Sequence, residues 1–485
     1  MSLDQGAPPV RATTVVRPAV PQLSQLDHGR ALGSPALVSR TAPDYAVVNE
    51  LRGRVATRLT DEERKFDLDS ADRRELIRAL VHDELEQWVL HETNHGRPAP
   101  AVQAEDNLVE AVIAELGGLG RIEPLLLRGD VEDIHFEGCE PTVLRLEDGS
   151  LVPGPPIAST DEELLRLIQS IGARYDGGQT SREFSSANPV LNVRLKGITE
   201  LGARLSASMD VVPRPMGTIR LHRHVDVTLD DLHRLGMIDT PMREFLRAAV
   251  QIGASIWVTG SPAAGKTTML RALVNEIPWA NVIVTIEDER ELGTHLLKRH
   301  AVVKTYEQRH PNAEGMGAFT MADALNEALR HSPTRLVVGE VRGAAAAHLL
   351  DAVTTGIAGA MCTLHTPNAR GVFERMLINA QKAVPSPSRE LVMASMAMLD
   401  FVVHVDRDRH NSRYVTEILE LGNVGDSQYP DATSIFKPGE DGRGRPVPGS
   451  LSAPMATRLA DVGFNTAWLR SELSDWPIVQ RDRAS

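Results

Sequence analysis

The sequence contains few cysteines and few aromatic residues, and its basic residues are outnumbered by acidic ones. Each of these features excludes some classes of protein. Its 485 residues include two cysteines, Cys139 and Cys362, which provide neither a disulfide framework nor a cysteine-based zinc site and fit a reducing compartment. Aromatic residues make up 4% of the chain, so the cores must be built from Leu, Val, Ile and Ala. The formal net charge of -13 argues against a protein that binds nucleic acid through its overall field. A chain of this length and composition predicts about three globular domains.

Long apolar runs are also missing. Residues 1–40 lack the apolar segment of a signal peptide, so we expect no secretory leader. The most apolar long stretch, residues 343–364, contains His348, Asp351 and many small residues, which predicts buried helix and strand and not a membrane span. Any association with a membrane is therefore expected to go through partners.

The sequence does contain one short stretch that reads G-x-x-x-x-G-K-T. It consists of Gly260, Ser261, Pro262, Ala263, Ala264, Gly265, Lys266 and Thr267, followed by Thr268. An apolar run at 255–259 and helical spacing over 268–277 predict a strand before it and a helix after it. In that context the glycines let the backbone approach phosphate oxygens, Lys266 reaches the outer phosphates, and the Thr267 hydroxyl ligates magnesium. The stretch predicts a nucleoside-triphosphate site, with one N–H donor fewer because of Pro262.

Carboxylates and a histidine follow three predicted strands downstream of this loop. The strand 282–286 leads into Glu287, Asp288, Glu289, Arg290 and Glu291, the strand 335–339 into Glu340, and the strand 360–364 into His365. Because the carboxyl ends of parallel strands meet at the edge where ligands bind, we expect these groups near the loop. The usual second nucleotide motif ends in Asp, whereas Gly339 occupies that place here and Glu340 follows; a glutamate can hold magnesium through water. His365 is expected to hydrogen-bond a terminal phosphate.

The pattern of helices, strands and turns divides the chain. We predict a disordered arm (1–43), a helical extension (44–117), a mixed α+β domain (118–225), a linker (226–231), an α/β domain with a mainly parallel sheet (232–422), and a flexible C-terminal tail with a short helix (423–485). The tail is predicted from its glycine- and proline-rich composition. Predicted strands of the mixed domain carry Arg194, Arg204 and Arg220, and such residues ordinarily point at water.

Taken together, the motifs resemble those of the type II/type IV secretion ATPase superfamily, and within it the CpaF-like branch of Tad-pilus assembly ATPases. The resemblance runs from about Gly118 to Gly422. It rests on Gly118–Leu126, Asn192–Leu195, the phosphate loop, Thr285–Asp288 with Glu291, Ala328–Pro333, Val338–Gly343, and Thr363–His365 with Asn368. It implies a RecA-like P-loop NTPase domain behind a mixed α+β domain. It further implies that the two domains clamp ATP between them in a hexameric ring, and that their motion drives pilus assembly or secretion.

The resemblance also implies roles for single residues. Lys266 and Thr267 bind phosphate and magnesium, and Glu340 belongs to the second nucleotide motif and the metal site. Glu287, Asp288 and Glu291 form an acidic box in which Glu291 orients or deprotonates water. His365 matches a histidine box, and the mixed domain supplies phosphate-reaching arginines at Arg194, Arg204 and Arg220. The implied cofactors are ATP and Mg²⁺. The implied partners are further copies of the chain and inner-membrane platform proteins, at the cytoplasmic face of the membrane and without nucleic acid.

The sequence departs from this family pattern in places. The phosphate loop lacks the usual internal glycines, Thr334 stands where an Asp is usual, and residues 197–202 replace a short Asp-Gly turn before Arg204. The four-cysteine zinc module of many type II assembly ATPases is absent, which favours the CpaF-like or conjugation-like branches.

Two other hypotheses stay open. One is a RecA-like nucleic-acid motor, which the acidic charge and the lack of an aromatic-rich basic groove oppose. The other is a nucleotide-gated scaffold with weak turnover.

Overall fold

The structure is a computed structural model that describes most of the chain after residue 42. The described residues are 43–63, 70–98, 100–117, 119–175, 184–195, 201–221, 226–309, 311, 316–409, 411–470 and 474–476. The predicted disordered arm lies outside them, except for its last residue. None of the helices that the structure describes is both long enough and apolar enough to cross a bilayer.

Three helices form the first unit of the described chain. They are α1 (Tyr45–Glu63), α2 (Ser70–Asn94) and α3 (Val102–Gly117). Their apolar stripes pack into one core that includes Leu51, Val81 and Val112, each fully buried. The bundle meets the next domain where the guanidinium of Arg121 stacks on the ring of Tyr45, 3.8 Å from its centroid.

An antiparallel sheet forms the mixed domain. Its elements are α4 (Glu123–Leu126), β1 (Val131–Glu137), β2 (Val143–Leu146), β3 (Leu151–Pro153), α5 (Asp161–Tyr175), β4 (Val190–Leu195), β5 (Ala203–Ser208) and β6 (Met216–Leu221). Among the described strands the spatial order is β3-β2-β1-β6-β5-β4. One face packs on the helices through residues such as Ile134, Ile168 and Ile219. Because side chains alternate along a strand, the other face carries the polar residues.

The third unit alternates helix and strand over its first two thirds. Its elements are α6 (Leu229–Arg234), α7 (Thr240–Gln251), β7 (Ile256–Gly260), α8 (Lys266–Asn275), β8 (Val282–Glu287), β9 (Val302–Glu307), α9 (Met321–Ala328), β10 (Arg335–Val338), α10 (Ala345–Thr354), β11 (Met361–His365), α11 (Val372–Ala380), α12 (Arg389–Met396), β12 (Phe401–Arg407), β13 (Arg413–Val424), β14 (Pro430–Pro438), β15 (Gly444–Pro446) and α13 (Ala453–Ala460).

The phosphate-loop strand lies at the centre of the sheet of this unit. In the described residues the order is β15-β14-β13-β12-β7-β11-β10-β8-β9. The six strands β12, β7, β11, β10, β8 and β9 are parallel to one another. Strands β13, β14 and β15 continue the sheet beyond β12 with antiparallel pairing. Successive residues of a strand point to opposite faces of the sheet and pack into two separate hydrophobic cores, with Val258 in one and Trp257 in the other. The predicted fold class is confirmed: a RecA-like P-loop NTPase domain, a mixed α+β domain and an N-terminal helical extension.

The prediction of a flexible tail over 423–485 is wrong for the described residues. Strands β14 and β15 extend the sheet, and the fully buried Phe436 packs edge-on against Phe245 at 5.6 Å. After α13, Phe464 and Leu469 join the same core. The glycine-rich run belongs to the tight turn that joins β14 to β15, and pairing across the sheet, which local composition does not show, orders its flanks. The domain therefore extends well beyond residue 422.

The predicted linker 226–231 is also shorter than expected. Helix α6 already begins at Leu229, because Thr228 caps it by accepting a hydrogen bond from the backbone N–H of Asp231. Leu229 and Leu232 are fully buried in the core of the third unit, which is called the nucleotide domain below. These residues thus start the third unit and do not merely connect it.

Candidate active site

The phosphate loop sits between β7 and α8, at the carboxyl edge of the parallel strands. Gly260 has φ of 154°, and a Cβ there would lie 2.2 Å from the carbonyl oxygen of Val405 on β12. Only glycine therefore lets β12 pack this close to the loop. Gly265, also at positive φ, is the residue from which α8 begins at Lys266. No side chain caps the start of α8, and its first residues, Lys266, Thr267 and Thr268, line the cavity. The first turn of a helix leaves its N–H groups without partners inside the helix, as anion sites require.

Lys266 and His365 lie against each other above the loop. The Lys266 ammonium donates to the carbonyl oxygen of Ser261 at 2.8 Å and lies 3.0 Å from Nδ1 of His365. Burial lowers the pKa of Lys266 to about 8. Burial, and next the neighbouring ammonium, lower the pKa of His365. At neutral pH the pair therefore carries the lysine charge with a neutral imidazole beside it.

Glu340 completes this contact chain from the end of β10. Its Oε1 lies 3.4 Å from Nε2 of His365. Both carboxylate oxygens also accept hydrogen bonds from Arg342, each at 2.7 Å. Lys266 and Glu340 thus touch the same imidazole from opposite sides. Arg342 is a residue to which the sequence motif assigned no role, although it stands two positions after Glu340.

The acidic run after β8 folds around Glu287. This residue is 2% exposed, and its Oε2 accepts the backbone N–H groups of Glu291 and Leu292, both at 2.7 Å. Burial raises the pKa of the Glu287 carboxyl to about 7. The two hydrogen bonds fix the turn that carries Glu291 to the cavity. Asp288 and Glu289 line a smaller adjoining recess together with Thr267.

On the mixed domain, charged residues form one row across the polar face of the sheet. The strand register places Arg145 beside Asp133, Asp133 beside Arg220, Arg220 beside Arg204, and Arg204 beside Arg194. Asp133 is 3% exposed and pairs with Arg220 at 2.8 Å and with Arg145 at 3.4 Å. Four guanidinium groups and one carboxylate therefore lie on five neighbouring strands.

The members of this row differ in their surroundings. Arg204 contacts Glu289 of the nucleotide domain at 3.0 Å and borders the cavity. Arg220 also borders the cavity. Arg194 donates to the carbonyl oxygen of Leu201 and pairs with Glu307 on the edge strand β9 at 3.3 Å, and it does not line the cavity. Of the three predicted arginines, the structure thus brings two to the phosphate loop and leaves one outside.

The cavity between the two domains has a volume of about 530 Å³. Its charged or polar lining residues include Arg145, Arg204, Arg220, Lys266, Thr267, Thr268, Glu291, Glu340, Arg342, His365, Arg407 and Arg413. Lys266, Glu291 and Glu340 therefore share one hollow. Arg407 and Arg413 have no motif in the sequence, because they reach the cavity only through the pairing of β12 with β7.

The oxygen groups beside the loop fit a magnesium ion bound together with phosphate. Thr267, Asp288, Glu291 and Glu340 line a recess of about 50 Å³ that adjoins the cavity. Within the described residues there is no cluster of three or more His, Cys, Asp or Glu side chains arranged to hold a metal ion. Magnesium typically takes one or two protein oxygens, substrate phosphates and water, and this donor set suits that arrangement.

Comparisons with known proteins identify the family of this chain. The model of the "Type II/IV secretion system protein" family matches residues 191–399. A Mycobacterium tuberculosis protein, provisionally named a conjugal transfer protein, is 32% identical over 313 residues, which cover 63% of this chain and 85% of that protein. The chain belongs to the type II/IV secretion system protein family. This confirms the family suggested by the sequence motifs, though not the CpaF-like branch.

Other members of the family match over shorter regions. The type IV secretion system protein PtlH of Bordetella pertussis is 37% identical over 170 residues, 34% of this chain and 48% of that protein. Among solved structures, the VirB11 ATPase of the Brucella suis type IV secretion system, in complex with sulphate, is 22% identical. The match covers 62% of this chain and 95% of the VirB11 chain, with a TM-score of 0.33.

Proposed function

We propose that this secretion-family protein is a magnesium-dependent ATPase that couples ATP binding and hydrolysis to the movement of its mixed domain. The observation that carries the proposal is the shared cavity, which has the phosphate loop and carboxylates on one side and arginines of the other domain on the opposite side. Hydrolysis of a phosphoanhydride needs bound metal, an oriented water and positive charge at the transferred phosphate. Each of these needs has a candidate group at the cavity.

The proposed roles follow the positions of the side chains. Lys266 and the loop N–H groups hold the phosphates, and Thr267 with Glu340 holds magnesium. Magnesium, when bound, would neutralise charge on the phosphate oxygens. Glu291 orients or deprotonates the attacking water, and His365 contacts the terminal phosphate. Glu287 acts on Glu291 through the backbone, so its role is to position that residue.

Arg204 and Arg220 are proposed to stabilise the transferred phosphate from the mixed domain. In the structure Arg204 pairs with Glu289, and Arg220 pairs with Asp133. A phosphate in the cavity would compete with Glu289 for Arg204. The gain or loss of that contact would then move one domain relative to the other, and this is the coupling that a motor needs.

The wider assignment is also a proposal. We infer a hexameric ring of the CpaF-like branch that works on the cytoplasmic side of the membrane, with platform proteins of a pilus or secretion system as partners. The two cysteines of the sequence, Cys139 and Cys362, support this branch against those with a four-cysteine zinc module. Measuring the particle mass with and without magnesium and a non-hydrolysable ATP analogue tests the ring. A monomer under every condition would contradict it.

Phosphate release tests the activity. The wild type should release phosphate from ATP in the presence of magnesium, and Lys266→Ala and Glu291→Gln should fall to near background. A general base is typically worth about 10²–10⁴ in rate. Arg375→Gln, on the exposed face of α11 and away from the cavity, is the matched control and should behave as the wild type. Equal rates in all four proteins, or release that survives removal of magnesium with EDTA, would overturn the assignment.

A nucleotide-gated scaffold with weak turnover remains the second candidate, because the loop itself is unusual. Ala263 adopts a left-handed φ of 59° where glycine is favoured, and Pro262 has no N–H to give. Such a protein would bind ATP tightly and release phosphate no faster than Glu291→Gln does. Measuring binding and release on the same preparations separates the two candidates.

A further inference from the structure

The hairpin formed by β12 and β13 brings two arginines to the cavity from the nucleotide domain itself. Strand β12 ends at Arg407 and β13 begins at Arg413, and these residues face each other in the register of the hairpin. Both line the cavity. Because β12 pairs directly with β7, the hairpin is fixed to the phosphate loop by backbone hydrogen bonds. Its position is therefore set by the same sheet that sets the loop.

Arg413 lies directly on the phosphate loop. Its Cδ is 3.2 Å from the position that a Cβ on Gly265 would occupy, immediately before α8. Its Nε is buried and makes no hydrogen bond with any described residue. A buried cationic N–H without an acceptor is costly, and such a group beside a phosphate loop points to an anionic acceptor.

A carboxylate of the mixed domain lies near the guanidinium of Arg413. Its Nη2 lies 3.9 Å from Oε1 of Glu132 on β1, a distance that allows an ion pair but no hydrogen bond. Glu132 lines the same cavity. At the tip of the hairpin, Nδ2 of Asn411 donates to the carbonyl oxygen of Asp148 at 3.3 Å. The part of the hairpin beside its turn therefore contacts both the phosphate loop and the mixed domain.

We propose that Arg413 binds a phosphate group of the nucleotide and exchanges its contact with Glu132 for that phosphate. The inference rests on the proposed nucleotide function and adds a phosphate-binding residue that neither the loop motif nor the arginine row contains. Its geometry differs from that of Arg204, because Arg413 belongs to the same domain as the loop. Binding at Arg413 would then loosen a contact with the mixed domain, whereas binding at Arg204 draws that domain in.

Nucleotide affinity measures the first half of this proposal. We expect Arg413→Gln to weaken binding of a fluorescent ATP analogue roughly 10- to 100-fold, the range of a lost charge-assisted hydrogen bond. The titration is made without magnesium and then with it, so that the readout is binding and not turnover. Arg375→Gln should bind as the wild type does. Arg413→Lys, which keeps the charge but not the fork of N–H groups, should lie between wild type and Arg413→Gln and serves if the glutamine variant does not fold.

A double-mutant cycle measures the exchange. Glu132→Gln removes the competing carboxylate, so it should tighten binding several-fold when Arg413 is present and much less in Arg413→Gln. A general effect of cavity charge would be equal in both backgrounds, and that equality would overturn the exchange. Affinity of Arg413→Gln equal to that of Arg375→Gln would overturn the phosphate contact. If instead the wild type binds no ATP, or Lys266→Ala binds as tightly as the wild type, it is the proposed function that fails.

Discussion

The two sheets that border the cavity present their charged groups in different ways. The nucleotide domain offers its phosphate loop and carboxylates where parallel strands end, at Gly260, Glu287 and Val338. The mixed domain offers arginines from the middle or ends of antiparallel strands, aligned only by register. A parallel sheet concentrates chemistry at one edge, because all its carboxyl ends meet there. An antiparallel sheet has no such edge, so its contribution is a row across one face.

Because the row crosses the sheet from strand to strand, its residues differ in whether they border the cavity. Neighbouring strands stand about 4.8 Å apart, so one step along the row moves a guanidinium by roughly that distance. Arg204 meets Glu289 at the cavity, while Arg194 on the next strand meets Glu307 outside it. Both arginines make ion pairs with the nucleotide domain. Only one of these contacts is open to a phosphate.

The largest expected effect separates these two neighbours. Arg204→Gln should lower the rate of phosphate release at saturating ATP by about 10³–10⁵, the range seen when an arginine that stabilises a transferred phosphate is removed. Arg194→Gln should change the rate less than about fivefold, because Arg194 does not line the cavity and its partly exposed ion pair with Glu307 contributes little beyond about 0–1 kcal/mol. Single-turnover phosphate release checks both. Similar losses in the two variants would show that the row acts as a unit and would break the comparison.

The same contrast explains what the sequence could predict. The loop, Glu340 and His365 stand in local patterns of strand followed by functional residue, and the structure brings them to one cavity. Arg413 and Arg407 have no such pattern, since their place depends on β12 lying beside β7. Strands β14 and β15 were missed for the same reason, because an edge strand is ordered by its partner and the local glycine content suggested a loop. Arg194 lies outside the cavity and pairs with Glu307 on the edge strand β9. The sequence analysis did not predict this strand, so it could not predict where Arg194 lies.

The next largest effect is on stability and comes from a buried carboxyl group of the nucleotide domain. Glu287 is almost wholly buried, and its carboxyl has a pKa raised to about 7 by burial. The folded state therefore holds this proton more tightly than the unfolded chain, so the contribution of Glu287 to the free energy of unfolding falls as pH rises from about 4.5 to about 7 and is constant above. Glu287→Gln keeps an acceptor for the two N–H groups and should remove up to about 3 kcal/mol of this pH dependence. Denaturant midpoints at pH 5, 6 and 7.5 measure it.

Asp239→Asn provides a matched comparison for that measurement. Asp239 is the buried N-cap of α7, and burial raises its pKa to about 6. The contribution of Asp239 to the fall in the free energy of unfolding should therefore end near pH 6, whereas the contribution of Glu287 continues to about pH 7. A wild-type profile that is flat between pH 6 and 7.5 would contradict the assignment to Glu287.

A smaller effect is expected from Lys266, the cation on the carboxylate side. Its pKa is lowered to about 8 by burial, so the free protein loses this charge above that pH. Binding of phosphate requires the ammonium form, and affinity should therefore fall by about tenfold for each pH unit above 8. Titration with a fluorescent ADP analogue from pH 7 to pH 10 measures it. Lys266→Arg stays charged throughout this range, so whatever affinity it retains should not depend on pH in this way.

The smallest effect tests the loop that the nucleotide domain contributes. Ala263 has φ of 59°, whereas Ala264 has no such positive φ and is fully buried. Left-handed backbone costs a residue with a Cβ about 1 kcal/mol, so Ala263→Gly should stabilise the protein by less than that, because glycine also loosens the unfolded chain. Ala264→Gly gains nothing from strain and should destabilise it. Opposite shifts of the melting temperature, each of about 1–3 °C, would show that the altered loop is strained at one residue and relaxed at the next. Equal shifts would show that the loop tolerates alanine at both positions, and the weak-turnover hypothesis would then lose its structural support.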